Sequence, residues 1–511
     1  MIEIVRRPIV VLAAALLFAI SACAAADSGV AIRRSDATPG PASPAAPTDT
    51  TEVPIPVDSF PGETIPPDTQ PDATSPPPVS IDVNPSDATI NFGANKTPQP
   101  YDGFLQAALA DIQQYWRETY PQVYGSPYTE LSGGIYAAYP ERTEPIPSCD
   151  RQHSTSTYKD VAQGGAFYCG LGDFMAYDDF ELVPDFSKRL GNSAVAIVLA
   201  HEFGHAIQQR SGVLDRQLNT VFLEQQADCF AGSWAAHVAR GESQSLTFGD
   251  ADVKSGLIAM VEVKDPVQVG ATVLDDNAHG SAFDRVGAFQ VGFLEGAKRC
   301  SELIDAPLPL LDLQFSTQAE VNSGGDLPYA DIGQAIELDL TRFWTRTNPS
   351  LTAPKVASYS TNGPYPTCDS VDPSAFRKNS VYCSNIDTVV YDEAFARDLY
   401  RRFGDFAVGY LIGIAWSDAV QTRIGSTLTG EERALANDCL TGAWTQDTIP
   451  ANVIDPKIEQ LTVSPGDLDE VVATALVMGD QGQNDNIVGS GFEKIASYRA
   501  GVLGGIAACG F

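Results

Sequence analysis

The sequence predicts a helix-rich α+β fold, in which one domain occurs twice in tandem with a small sheet in each copy. Three observations predict it. First, one pattern returns. Asp111-Ile-Gln-Gln-Tyr-Trp116 recurs as Asp339-Leu-Thr-Arg-Phe-Trp344, and Pro147-Ser-Cys149-Asp150 as Pro366-Thr-Cys368-Asp369. Tyr168-Cys169 recurs as Tyr382-Cys383, and Asp228-Cys229 with Gly232 and Trp234 as Asp438-Cys439 with Gly442 and Trp444. The offset drifts one way, from 228 at Asp111 to 209 at Gly280, as small gaps in a duplication leave it; chance matches would scatter. Second, Ala194 to Ala200 is an ungapped apolar run, and Leu223, Ala227, Phe230, Ala231 and Trp234 follow at helical spacing. Third, short strand-like runs lie between the helical ones. Ala166 to Tyr177 reads as a strand, and Tyr128 to Tyr139 as a strand pair around Gly133-Gly134.

The chain divides in order. Residues 1–22 read as an export signal, with Arg6 and Arg7 before a short apolar core. The exit Ile20-Ser21-Ala22-Cys23 resembles a bacterial lipoprotein processing site, so Cys23 is the expected lipid attachment point; ordinary cleavage and secretion is the alternative. Residues 23–98 are rich in Pro, Ser and Thr and poor in large apolar side chains, which predicts a disordered tether. A first domain is expected over 99–303, a linker over 304–332 and a second copy over 333–511. These readings place the protein outside the cytoplasm, at a bacterial cell envelope. Acidic residues outnumber basic ones, 65 to 32. That excludes nucleic acid, which needs a basic face, and leaves the N-terminal lipid as the only membrane contact.

Val195 to Trp234 carries the chemistry. His201 and His205 are four apart, so one helix face presents both to a single ion. Glu202 between them is placed as general base for a metal-bound water. Glu224, in the next helical pattern, is the candidate third ligand, and Asp228 one turn later can hold a ligand His in its tautomer. Ser193 is the expected N-cap of the first helix and Gly212 its stop. The expected cofactor is one Zn²⁺ per chain.

The second copy acts as an internal control. At matched positions His201 becomes Ile414, Glu202 Ala415, His205 Asp418, Glu224 Ala434 and His279 Val488. These five vanish together while Trp, Cys and Gly positions persist, so the site is lost as a unit and His279 belongs to it. Asp228 persists as Asp438, which predicts a structural share in its role, such as a bond to backbone. Arg285 is a weaker candidate for chemistry, because Lys494 keeps its charge. His237 points elsewhere on its helix, and His153 sits in a polar loop. Eight cysteines beyond Cys23 fall four per copy. Sequence does not fix their connectivity. The simplest scheme common to both copies pairs Cys149 with Cys169, Cys229 with Cys300, Cys368 with Cys383 and Cys439 with Cys509.

Phe167-Tyr168-Cys169, His201-Glu-Phe-Gly-His205 with Gln208, Glu224-Gln-Gln-Ala-Asp228-Cys229-Phe-Ala-Gly232 and His279-Gly-Ser281 with Arg285 resemble the bacterial neutral zinc metallopeptidases, over about residues 99 to 303. The resemblance implies a gluzincin-type zincin: His201, His205 and Glu224 as ligands, Glu202 as base, and a peptide or protein as substrate, cut by an endopeptidase. His279 is then the candidate donor to the oxyanion. The competing reading is a cell-envelope binding or scaffold lipoprotein with a non-catalytic zinc. Glu202 argues against it, because a structural site closes its fourth position with another ligand.

Overall fold

Two long helices cross at contact distance in the middle of the N-terminal half, and two glycines let them. A Cβ on Gly232 would fall 2.0 Å from the Phe289 carbonyl oxygen, and one on Gly292 would fall 1.8 Å from that of Cys229. The computed structural model describes residues 89–263, 279–315, 317–360, 366–369, 371, 373–452, 461–479 and 490–511. The export signal, Cys23, the tether as far as residue 88, and Val488 lie outside the described residues.

The N-terminal half runs β1 (Ile90–Asn91), α1 (Asp102–Tyr124), β2 (Gly134–Ala138), β3 (Ile146–Pro147), β4 (Thr155–Ser156), α2 (Tyr158–Ala162), β5 (Ala166–Cys169), β6 (Phe174–Asp178), α3 (Leu182–Arg189), α4 (Asn192–Arg210), α5 (Thr220–Ala239), α6 (Asp250–Glu262) and α7 (Ala282–Glu302). Its main sheet has the order β1-β2-β6-β5. β1, β2 and β6 are parallel, and β5 returns antiparallel on the edge. The first strand among the described residues starts at Ile90, a core residue, ahead of the boundary that composition suggests.

Three local readings change. Ala166 to Tyr177 is a hairpin, β5 and β6, rather than one strand. Tyr128 to Gly133 is no strand: Tyr128 packs on Phe203 and lies under the Arg210 guanidinium. Gly133 instead donates to the Asp173 carbonyl, where a Cβ would meet the Gly172 carbonyl at 2.1 Å. The N-cap of α4 is Gly191, not Ser193. Its φ of +94° lets it receive the chain from α3, closing that helix on the Phe186 carbonyl before α4 begins. Gly212, at φ +75°, does end α4.

The C-terminal half runs α8 (Gln318–Ser323), α9 (Tyr329–Thr347), β7 (Lys355–Tyr359), β8 (Ser380–Cys383), β9 (Thr388–Asp392), α10 (Glu393–Arg402), α11 (Asp405–Ile424), α12 (Gly430–Thr448), α13 (Asp467–Gly479) and α14 (Gly491–Ala508). Its sheet has the order β7-β9-β8, with β7 parallel and β8 antiparallel to β9. Trp234 Nε1 donates to Asp111 at 2.8 Å, and Trp444 Nε1 to Asp339 at 3.0 Å. Each pair ties a later helix to the first long helix of its half, α1 or α9, and each buries a large ring that must place its one N–H.

Four disulfides join the cysteines in the simplest scheme: Cys149–Cys169, Cys229–Cys300, Cys368–Cys383 and Cys439–Cys509. A continuous hydrophobic core runs from Ile90 to Val502 through both halves. Among the described residues no helix is long and apolar enough to cross a membrane.

Candidate metal centre

α4 lies against the edge strand β5, and α5 crosses α4 below it. Gly204 permits the crossing, since a Cβ there would sit 2.9 Å from the Cα of Ala227. This brings His201 and His205 from α4 to Glu224 on α5. His201 Nε2 is 3.1 Å from Glu224 Oε2, and His205 Nε2 is 3.4 Å from Oε1. One potential donor atom from each residue lies within 4.8 Å of the others.

Tautomers are set by what holds the other ring nitrogens. His201 Nδ1 is 2.6 Å from Asp228 Oδ1, and His205 Nδ1 is 2.9 Å from Gln208 Oε1. Gln208 in turn donates to the Leu223 carbonyl at 2.6 Å, tying α4 to the start of α5. Both Nε2 atoms are therefore turned toward Glu224. Glu224 Oε2 is buried and makes no well-aligned hydrogen bond, although it lies 3.1 Å from His201 Nε2. Two imidazoles and a carboxylate converging on an orphaned oxygen fit a zinc ion with one position left open.

Charge is handled by burial and partners together. Burial would depress His201, but Asp228 and Glu224 outweigh it and hold the imidazolium up to about 10. Burial would raise Glu224, yet His205 and His201 keep its carboxyl far below the usual range. His279 adds to that effect, which puts its ring within electrostatic reach of the cluster. Burial raises Glu202, opposed by His201 and His205. Glu202 Oε2 accepts from the main-chain N–H of Tyr168 on β5 at 3.1 Å. A carboxylate shifted upward beside a sheet edge suits proton exchange.

Residues 94–302 match a family described as "Putative neutral zinc metallopeptidase". An uncharacterised protein of Mycobacterium tuberculosis (Rv2575) is 36% identical over 154 residues, covering 26% of this chain and 52% of that protein. One from Mycobacterium bovis (Mb2605) gives the same figures, and the uncharacterised YpfJ of Escherichia coli K12 is 31% identical over 152 residues, covering 26% and 51%. The chain spans about half the length of the curated relatives it matches. No solved structure matches it significantly.

The stretch matching the metallopeptidase family contains every residue named for the site. His237 packs against Tyr115 and pairs with Glu242, and His153 pairs with Asp150 in an exposed loop. Two roles escaped sequence reasoning. Arg285 turns its guanidinium to Asp228, with Nε and Nη2 each 2.9 Å from a carboxylate oxygen. Asp228 therefore bonds side chains, not backbone, and sits between a buried cation and a ligand. The sequence signal was the retained charge, because Lys494 approaches Asp438 at 3.1 Å in the other half. Gln208, three residues past His205, was visible in the motif but had no assigned task.

Proposed function

We propose that this chain is a zinc-dependent peptidase of the bacterial cell envelope, anchored by lipid on Cys23, with its one catalytic centre in the N-terminal half. The observation that carries this reading is the convergence of His201 Nε2, His205 Nε2 and Glu224 beside an ionisable Glu202 on a sheet edge. His201, His205 and Glu224 would hold the ion, which when bound supplies Lewis acidity and an acidified water. Glu202 takes the proton of the attacking water on its carboxylate and returns it to the leaving amine. A substrate would lie along β5 as an added strand, using main-chain bonds that need no particular side chain. His279 is the candidate donor to the oxyanion. Four disulfides support an oxidising compartment.

The C-terminal half reads as a degenerate copy without metal. The shared strand pattern, the paired Trp–Asp bonds and the matching disulfides support this. Ile414, Ala415, Asp418 and Ala434 line a cavity of about 260 Å³ where the ligands would be. Within it Arg433 Nε pairs with Asp418 at 2.6 Å.

The test is zinc stoichiometry of the mature protein with disulfides intact, for wild type and Glu224→Ala, alongside cleavage of a peptide library. One zinc per chain, lost in Glu224→Ala, is expected. Glu202→Gln should keep the zinc and lower kcat by about 10²–10⁴-fold. Zinc indifferent to Glu224 would sink the proposal.

A further inference from the structure

The start of α7 is held by the C-terminal half. A helix begins with main-chain N–H groups that lack partners within the helix. Ser281 caps one, accepting from Asp284 N at 3.1 Å. Another, the N–H of Phe283, is taken by Asp469 Oδ1 at 2.8 Å, from α13 of the other half. Arg499, on α14, donates to the Phe283 carbonyl and stacks its guanidinium 4.0 Å from the Phe283 ring centroid. α7 leaves room for it at Gly287, where a Cβ would fall 1.9 Å from Arg499 Nη2. Phe283, Asp469 and Arg499 are all buried.

What lies on either side of Phe283 makes this clamp consequential. Two residues on is Arg285, which grips Asp228, which grips His201. Four residues back is His279, reached through Gly280 at φ +98°. A rotation or slide of the first turn of α7 would move both at once.

We propose that Asp469, seconded by Arg499, is a positioning residue for the metal centre across the boundary between the halves. The half without ligands thereby sets the geometry of the half that has them. This rests on reading His201, His205 and Glu224 as the zinc ligands. Gln290 supplies the comparison, since its Nε2 donates to the Phe492 carbonyl at 2.8 Å and so bonds the same boundary without leading to the ligands.

The experiment is zinc affinity of the mature protein by competition with a chromogenic chelator, with the visible spectrum of the cobalt-substituted protein as a second readout. Asp469→Ala should weaken zinc about three- to tenfold, below the 10–100-fold of a residue that touches a ligand directly, and should shift the cobalt bands. Asp469→Asn keeps an acceptor oxygen and should restore affinity to within twofold. Gln290→Ala should leave affinity and cobalt bands unchanged. Wild-type affinity in Asp469→Ala, with zinc still dependent on Glu224, overturns the positioning role alone. Equal loss in Gln290→Ala also overturns it, by reducing the effect to a loosened boundary. Wild-type zinc indifferent to Glu224→Ala overturns the metal-centre reading itself. If Asp469→Ala does not fold, Arg499→Lys carries the test: altered cobalt bands support the clamp, and unaltered ones refute it.

Discussion

Asp228→Asn separates support of the ligand from support of the fold. Asp228 is fully buried and takes three charge-assisted bonds: from His201 at 2.6 Å and from two nitrogens of Arg285 at 2.9 Å each. The asparagine has the same shape, so packing is kept, but the charge is lost and its amide NH2 must face either His201 or Arg285, turning one accepted bond into a donor–donor contact. Two costs follow. Arg285, with 3% of its side chain exposed, is left as a buried cation without its anion, which costs about 3–5 kcal/mol of stability. His201 loses the anion that fixes its Nδ1 proton, which costs about 10–100-fold in zinc affinity, or about 1.4–2.8 kcal/mol. The double variant Asp228→Asn with Arg285→Met removes the stranded cation. It should regain at least half of the lost stability and none of the zinc affinity. Guanidinium unfolding in the presence of a chelator measures the first quantity, and chelator competition the second. Asp228→Asn with zinc affinity within twofold of wild type would refute the reasoning.

Further outcomes follow from the same physics. Removing Cys229–Cys300 by paired alanines frees a loop with a sequence separation of 71 and should cost about 4 kcal/mol, against about 3 for Cys149–Cys169 with a separation of 20, measured by urea unfolding. Gly292→Ala should prevent stable folding, seen as lost cooperative melting, because its methyl would overlap the Cys229 carbonyl on α5. Asp405, Asp467 and Glu470 cluster between α11 and α13, where burial comes first in raising all three carboxyls; repulsion from Asp326 adds to it for Asp405, and repulsion from Asp405 and Asp326 adds to it for Asp467 and Glu470. Folded-state values above the unfolded ones mean stability that is full below the unfolded carboxyl range and lost as pH rises through the folded values. The melting midpoint should therefore climb as pH falls from 8 to 5.5. Asp467→Asn with Glu470→Gln should flatten that slope, and an unchanged slope would dismiss the cluster as its cause.

The grouping of His201, His205 and Glu224 was legible because its information is local. His201 and His205 share a helix face, and Glu224 sits near the start of the next helix. What stayed hidden depends on contacts between distant elements. Nothing near Arg285 in sequence says that its guanidinium meets Asp228, 57 residues earlier. The strand expected at Tyr128 to Gly133 does not form, and its one aromatic residue, Tyr128, is used against Phe203 and Arg210 of α4 rather than in a ladder. Gly191 outcompeted Ser193 as a cap because the chain must first leave α3, a demand of the connection rather than of α4 itself.

The Cys229–Cys300 bridge bears on when the protein can work. Cys229 follows Asp228 directly and lies on the helix that carries Glu224, while Cys300 ends the helix that carries Arg285. In a reducing compartment that bond is absent, and α5 and α7 are kept in register by packing, by the Arg285–Asp228 pair and by Gln226 Nε2, which donates to the Cys300 carbonyl at 3.1 Å. A chain whose bridge has not yet formed therefore holds the Asp228–Arg285 support of His201 without its covalent lock until it meets an oxidant.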